Sequence, residues 1–121
     1  MPLPVYYHAF GNRTGKMTTN RLEVLKNMVE QDPGSVFARY GLAMEYVNQG
    51  QNEQAVAEFE TLLQTDANYG AGYYHAGRTL EKLGRVEEAR STYQRGIEVT
   101  TRTGDQHTRS ELQAALDMVG L

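Results

Sequence analysis

The chain contains no cysteine, which excludes disulfides and thiolate metal ligands and fits a reducing compartment. It has no excess of basic charge either. Twelve lysines and arginines stand against 15 acidic residues, a formal net charge of −3, so no bulk positive field draws nucleic acid or anionic lipid. No apolar run approaches the length of a membrane span. The opening MPLPVYYHAFGNRTGK lacks the cationic start and apolar stretch of a signal peptide. The expectation is a soluble, cytoplasmic protein with no nucleic-acid and no membrane partner.

Catalytic chemistry is equally thin. His8, His75 and His107 are isolated, none with a second ligand one helical turn away, so no metal site is expected. Gly11-Asn12-Arg13-Thr14-Gly15-Lys16 has the flavour of a phosphate loop. It is one residue short of the motif, and Met17 replaces the hydroxyl that would hold magnesium. Asn12-Arg13-Thr14 is formally a glycosylation sequon, an accident of composition without a secretory signal. No nucleophile has a readable base, so no catalytic residue and no cofactor are expected.

What the chain does have is a period. RYGLAMEYVNQGQNEQAVAEF is followed by YYHAGRTLEKLGRVEEARSTY, with small, apolar and glycine places re-occupied. Tyr40 maps to Tyr74, Gly50 to Gly84, Glu53 to Glu87, Ala55 to Ala89, Phe59 to Tyr93 and Leu63 to Ile97. The spacing is 34 residues in each case (for the alanines, 89 − 55 = 34). A fixed period of this size marks stacked helix–turn–helix units.

These residues resemble the tetratricopeptide repeat, whose pattern runs W-x2-L-G-x2-Y, then A-x3-F, then P. The first unit reads Arg39-x2-Leu42-Ala43-x2-Tyr46, then Ala55-x3-Phe59, with Ala67 in the proline place. The second reads Tyr73-x2-Ala76-Gly77-x2-Leu80, then Ala89-x3-Tyr93, with Thr101 in that place. Arg39 is the most visible departure. The resemblance implies an all-α fold: an α-solenoid of stacked repeats in a right-handed superhelix, closed by a terminal capping helix.

Five segments follow: an irregular tail over 1–17, an N-terminal half-repeat helix over 18–33, repeats over 35–68 and 69–102, and a capping helix over 105–121. Asn20-x-x-Glu23 and Thr108-x-x-Glu111 look like capping boxes at helix starts. Leu22, Leu25, Met28 and Val29 form one apolar stripe, and Leu112, Ala115, Leu116 and Val119 another. The first core layer is expected from Leu42, Tyr46, Phe59, Leu62 and Leu63, the next from Tyr73, Ala76, Leu80, Tyr93, Ile97 and Val99. The last stripe begins five places late, at Leu112 where His107 would continue the period (112 − 107 = 5). The preceding helix or loop must therefore be longer than its counterpart inside the array.

The resemblance implies that the first helix of each unit lines a concave groove. Tyr40 and Met44 would point into it from the first unit, flanked by Phe37 and Val47. Tyr74 and Arg78 would do so from the second, with His75, Glu81 and Lys82 nearby. Phe37 and Val47 could equally be packed under a neighbouring helix. Tyr40 and Met44 stand where carboxylate-clamping relatives carry lysine and asparagine, so an apolar or aromatic peptide, or a partner helix, suits the groove better. The expected function is non-catalytic protein–protein interaction. The alternative is a self-assembly module that forms homo-oligomers through its ends or its tail.

Overall fold

The computed structural model describes the backbone of residues 13–121 and the side chains of residues 21–121. Within them are six helices: α1 (Arg13–Gln31), α2 (Val36–Asn48), α3 (Asn52–Thr65), α4 (Gly70–Lys82), α5 (Val86–Thr103) and α6 (Gln106–Met118). Consecutive helices pack on one another, and α4 also packs on α6.

Local chemistry sets the boundaries. Pro33 cannot continue a helical ladder, and α1 stops at Gln31. Ser35 then caps α2, its hydroxyl accepting the Ala38 N–H at 3.1 Å. Gly50 and Gly84 turn the two hairpins at φ +75° and +77°, a left-handed conformation that a side chain resists. Each turn is closed by the same bond one period apart. The Gln51 N–H reaches the Tyr46 carbonyl at 2.8 Å, and the Arg85 N–H reaches the Leu80 carbonyl at 2.9 Å.

The departure at Arg39 has a physical account. In the second unit the Tyr73 hydroxyl donates to the Ala67 carbonyl at 2.7 Å. One period earlier the Arg39 guanidinium donates to the Pro33 carbonyl at 3.1 Å and pairs with Glu58 at 2.7 Å. Both side chains tie the first helix of a unit to the loop before it. Arginine does so with a charge, and Glu58 on α3 compensates that charge.

The core lies in two connected clusters. One gathers Leu22, Leu42, Ala43, Tyr46, Ala55, Phe59 and Ala76; the other includes Leu62, Leu63, Tyr73, Leu80, Tyr93, Val99 and Leu112. Leu62 and Leu63 thus serve the layer after their own, and Ala76 the layer before, which stitches the units together. Ala43, Ala55 and Ala89 are fully buried because helix backbones approach closely there.

Several expectations are corrected. Residues 13–17, expected to be irregular, already belong to α1, and residues 1–12 lie outside the described set. The incomplete phosphate loop therefore runs into helix at Arg13. Asn20 lies inside α1, seven residues after its start at Arg13, and not at the helix start where a capping box belongs. The cap of α6 is Asp105, whose carboxylate accepts the Thr108 N–H at 3.2 Å, so Thr108 is an interior residue and not the start of a capping box. Met28 is exposed rather than part of the packed stripe, and Ile97 is only partly buried. Val56, buried in the second cluster, was not anticipated. The phase slip before Leu112 is explained by α5, which has 18 residues against 14 in α3.

Candidate binding face

The residues expected to line a groove divide three ways in the structure. Phe37 stands in solvent with 78% of its surface exposed, so it is not packed under a neighbour. Met44 and Val47 are half-buried against the first core cluster. Tyr40, Tyr74 and His75 come together with Phe59 and Tyr69 in one aromatic assembly. Ring centroids lie 5.3 Å apart for Tyr40–Tyr69, 5.9 Å for Tyr40–His75, and 5.2 Å for Tyr74–His75. Phe59 stacks on His75 at 6.4 Å. The two Tyr–His contacts are edge-to-face, the Tyr40–Tyr69 contact is tilted and the Phe59–His75 contact is stacked, all within the range that aromatic pairs favour.

Local sequence explains the gathering. Tyr74 and His75 are adjacent on α4, and neither is fully buried. Tyr40 projects from α2 one period earlier. Tyr69 belongs to the loop just before α4. It was missed because Ser35 holds its place in the first unit, so the period gives no signal for it.

The polar end of the face is organised by α4. The Arg78 guanidinium donates to the Tyr74 hydroxyl at 3.0 Å, lies over that ring at 5.9 Å and approaches Glu81 at 4.0 Å. Glu81 in turn accepts the Tyr93 hydroxyl from α5. Burial and this carboxylate raise the Tyr93 pKa well beyond its ordinary range, so the phenol stays a donor. Lys82 is exposed at the end of the helix.

A cleft of about 420 Å³ opens beside these residues, between Tyr74, Arg78 and Glu81 of α4 and Glu111, Ala114 and Met118 of α6. The α6 residues were also missed, because the last helix is expected only to cap the array. A larger cleft of about 520 Å³ lies on the other side, between α3 and α5. It collects none of the expected groove residues. Among the described residues no group of histidine and carboxylate side chains could hold a metal ion, and no helix is long and apolar enough to cross a membrane.

His75 gives the face a pH response. Burial lowers its pKa below the ordinary 6.5; Glu111 from α6 opposes this, and Arg78 and Lys82 of its own helix reinforce it. The remaining neighbours, Tyr40, Phe59 and Tyr74, are uncharged near neutrality. The unfolded chain then binds the proton more readily than the folded one. The His75 contribution to stability is full above about 6.5 and falls as pH drops through that value toward the depressed one. Melting temperatures taken at about pH 7.5 and about pH 5 should differ less for His75→Phe than for the unaltered chain. An equal difference in both would remove His75 as the source.

The comparisons with known proteins agree with this architecture. A tetratricopeptide repeat model matches residues 40–103. The chain belongs to the tetratricopeptide repeat family. It is similar to the TPR repeat-containing protein PA0015 of Pseudomonas aeruginosa, with 24% identity over 95 residues, 78% of this chain and 90% of that one. The solution structure of a tetratricopeptide repeat domain protein from Salinibacter ruber is 44% identical. It superposes with a TM-score of 0.66 over 70% of this chain and 86% of that one. The fold also recurs in the TPR2B domain of yeast Sti1, solved as a complex with pHsp70. The TM-score there is 0.77 at 12% identity, over 88% of this chain and 85% of that one.

Proposed function

We propose that the protein is a non-catalytic protein–protein interaction module that binds a peptide or a partner helix along the face shared by α2, α4 and α6. The observation that carries this reading is the half-buried aromatic assembly of Tyr40, Tyr69, Tyr74 and His75, with Phe37 projecting from the same helix as Tyr40. Rigid aromatic side chains present much contact area at little entropic cost, which is why they recur as binding anchors. The TPR2B domain of yeast Sti1, of the same fold and solved as a complex with pHsp70, supports the reading. A cytoplasmic adaptor is the role it fits.

Phe37 and Tyr74 are the anchors to test, since Tyr40 also touches the core at Phe59. Replacing both by alanine should leave the helical signal and melting temperature close to those of the unaltered chain. Loss of about 2 kcal/mol of binding should weaken a micromolar complex roughly thirty-fold, enough to empty an affinity pull-down. A folded double variant that recovers every partner would refute the reading. A self-assembly role is favoured by one observation, the exposed Val24 and Met28 on α1. Its signature is a mass that rises with concentration in sedimentation and falls back on Val24→Ser.

A further inference from the structure

The cleft between α4 and α6 differs in chemistry from the aromatic stretch next to it, and the difference points to a kind of partner residue. Its bed is apolar. Ala114 is exposed and Met118 keeps 68% of its surface in solvent, with Tyr74 opposite. Its charges are two carboxylates, Glu81 and Glu111, and one guanidinium, Arg78, a net of −1. These groups are not equally committed. Arg78 is held by the Tyr74 hydroxyl and by Glu81, and Glu81 also carries the Tyr93 hydroxyl. Glu111 has a looser partner, the His107 imidazole at 3.7 Å, which is 86% exposed and an ion-pair partner only when protonated.

A carboxylate at the mouth of an apolar trough suits a long side chain with a cationic end. The methylene stem of lysine or arginine covers apolar surface while its head stays in contact with water and with charge. An acidic side chain would meet two carboxylates there, and the one guanidinium already bonds the Tyr74 hydroxyl and lies 4.0 Å from Glu81. The volume of about 420 Å³ accommodates one such side chain together with its flanking backbone.

We propose that the α4–α6 cleft receives a lysine or arginine side chain of the bound segment, with its stem on Ala114, Met118 and the Tyr74 ring and its head at Glu111. The assignment rests on the reading of this face as the binding surface. Because Tyr74 belongs to both the cleft and the aromatic assembly, the basic residue sits next to an aromatic or large apolar one in the partner. The partner is thus a basic–aromatic segment, opposite in charge to the carboxylate-bearing tails that a lysine clamp would hold.

The test is a selection of dodecapeptides displayed on phage against the full chain, followed by titration of the recovered peptides as synthetic, fluorescently labelled probes. The expected peptides carry a lysine or arginine close to an aromatic residue. Glu111→Lys should weaken such a peptide about tenfold, and the weakening should shrink at high salt. It should strengthen the twin peptide in which that basic residue is glutamate. Phe37→Ala with Tyr74→Ala should abolish binding of both twins. Recovered peptides that need Phe37 and Tyr74 but are indifferent to Glu111→Lys would overturn the basic-residue assignment alone. Peptides indifferent to all of these substitutions, or no enrichment at all, would overturn it together with the binding face. Glu111 is half in solvent, so its replacement leaves the fold intact.

Discussion

Removing residues 106–121 should destabilise the chain more than any point substitution on its surface and turn it into an aggregating species. Leu112 is completely buried and Val119 nearly so, and both belong to the second core cluster with Tyr73 and Val99. Full burial of two such side chains stabilises by about 3–6 kcal/mol, a large share of the roughly 5–15 kcal/mol available to a domain. The loss is not confined to the deleted helix. Gly96 marks where α6 closes on α5, because a Cβ there would lie 2.6 Å from the Tyr73 Cβ and 2.9 Å from a Leu112 methyl carbon. Without α6 that small-residue seam faces water, and the Tyr73 ring loses one wall. At the far end Gly120 sits close to Arg90 and Val86, so α5 loses cover near both of its ends. Exposed apolar patches of that kind drive association. Light scattering and a thermal melt of the truncated chain would check this. A monomer with an unchanged midpoint would mean that α6 is an appendage.

The repeat itself was legible in the sequence because it is written twice. Gly50 and Gly84, Ala55 and Ala89, and Phe59 and Tyr93 occupy equivalent places and adopt equivalent roles. Helix ends were harder to read. Asn20 and Thr108 satisfy a capping pattern, yet the actual cap of α6 is Asp105, three residues earlier. A capping box and an interior S/T-x-x-E pair look the same without knowledge of where the helix begins. The proposed binding face was legible in proportion to its periodicity. Tyr40 and Tyr74 repeat, and both rings contact His75. Tyr69, Glu111, Ala114 and Met118 gave no such signal: Tyr69 joins the aromatic assembly through Tyr40 of α2, and the other three come to the cleft only where α4 meets α6. Which residues a groove collects from a terminal helix depends on the length of the helix before it. That length, 18 residues in α5, was not fixed by the repeat.

Gly77→Ala should cost about 3 kcal/mol, at the upper end for overpacking, and lower the melting temperature by roughly 10 °C. A Cβ at Gly77 would lie 2.6 Å from Cδ1 and 2.7 Å from Cζ of Tyr93, and closer still to Cε1. The ring cannot swing aside, since it is fully buried and its hydroxyl is held by Glu81. To admit one methyl group, α4 and α5 must move apart, and the Tyr93 anchor goes with them. Gly41→Ala supplies the contrast. Its new methyl would meet only a Leu25 methyl at 3.1 Å, the end of a flexible and partly exposed side chain. Alanine also favours a helix over glycine by up to about 1 kcal/mol, so that variant should be close to neutral. Because the clash is with one ring, it is a pairwise quantity. Tyr93→Leu removes the ring and opens a cavity, and Gly77→Ala added to it should cost less than Gly77→Ala alone. The coupling in this double-mutant cycle should reach about 1 kcal/mol or more. Strict additivity would place the strain elsewhere in the α4–α5 interface, and a Gly77→Ala variant that melts like the unaltered chain would show that these helices part without cost.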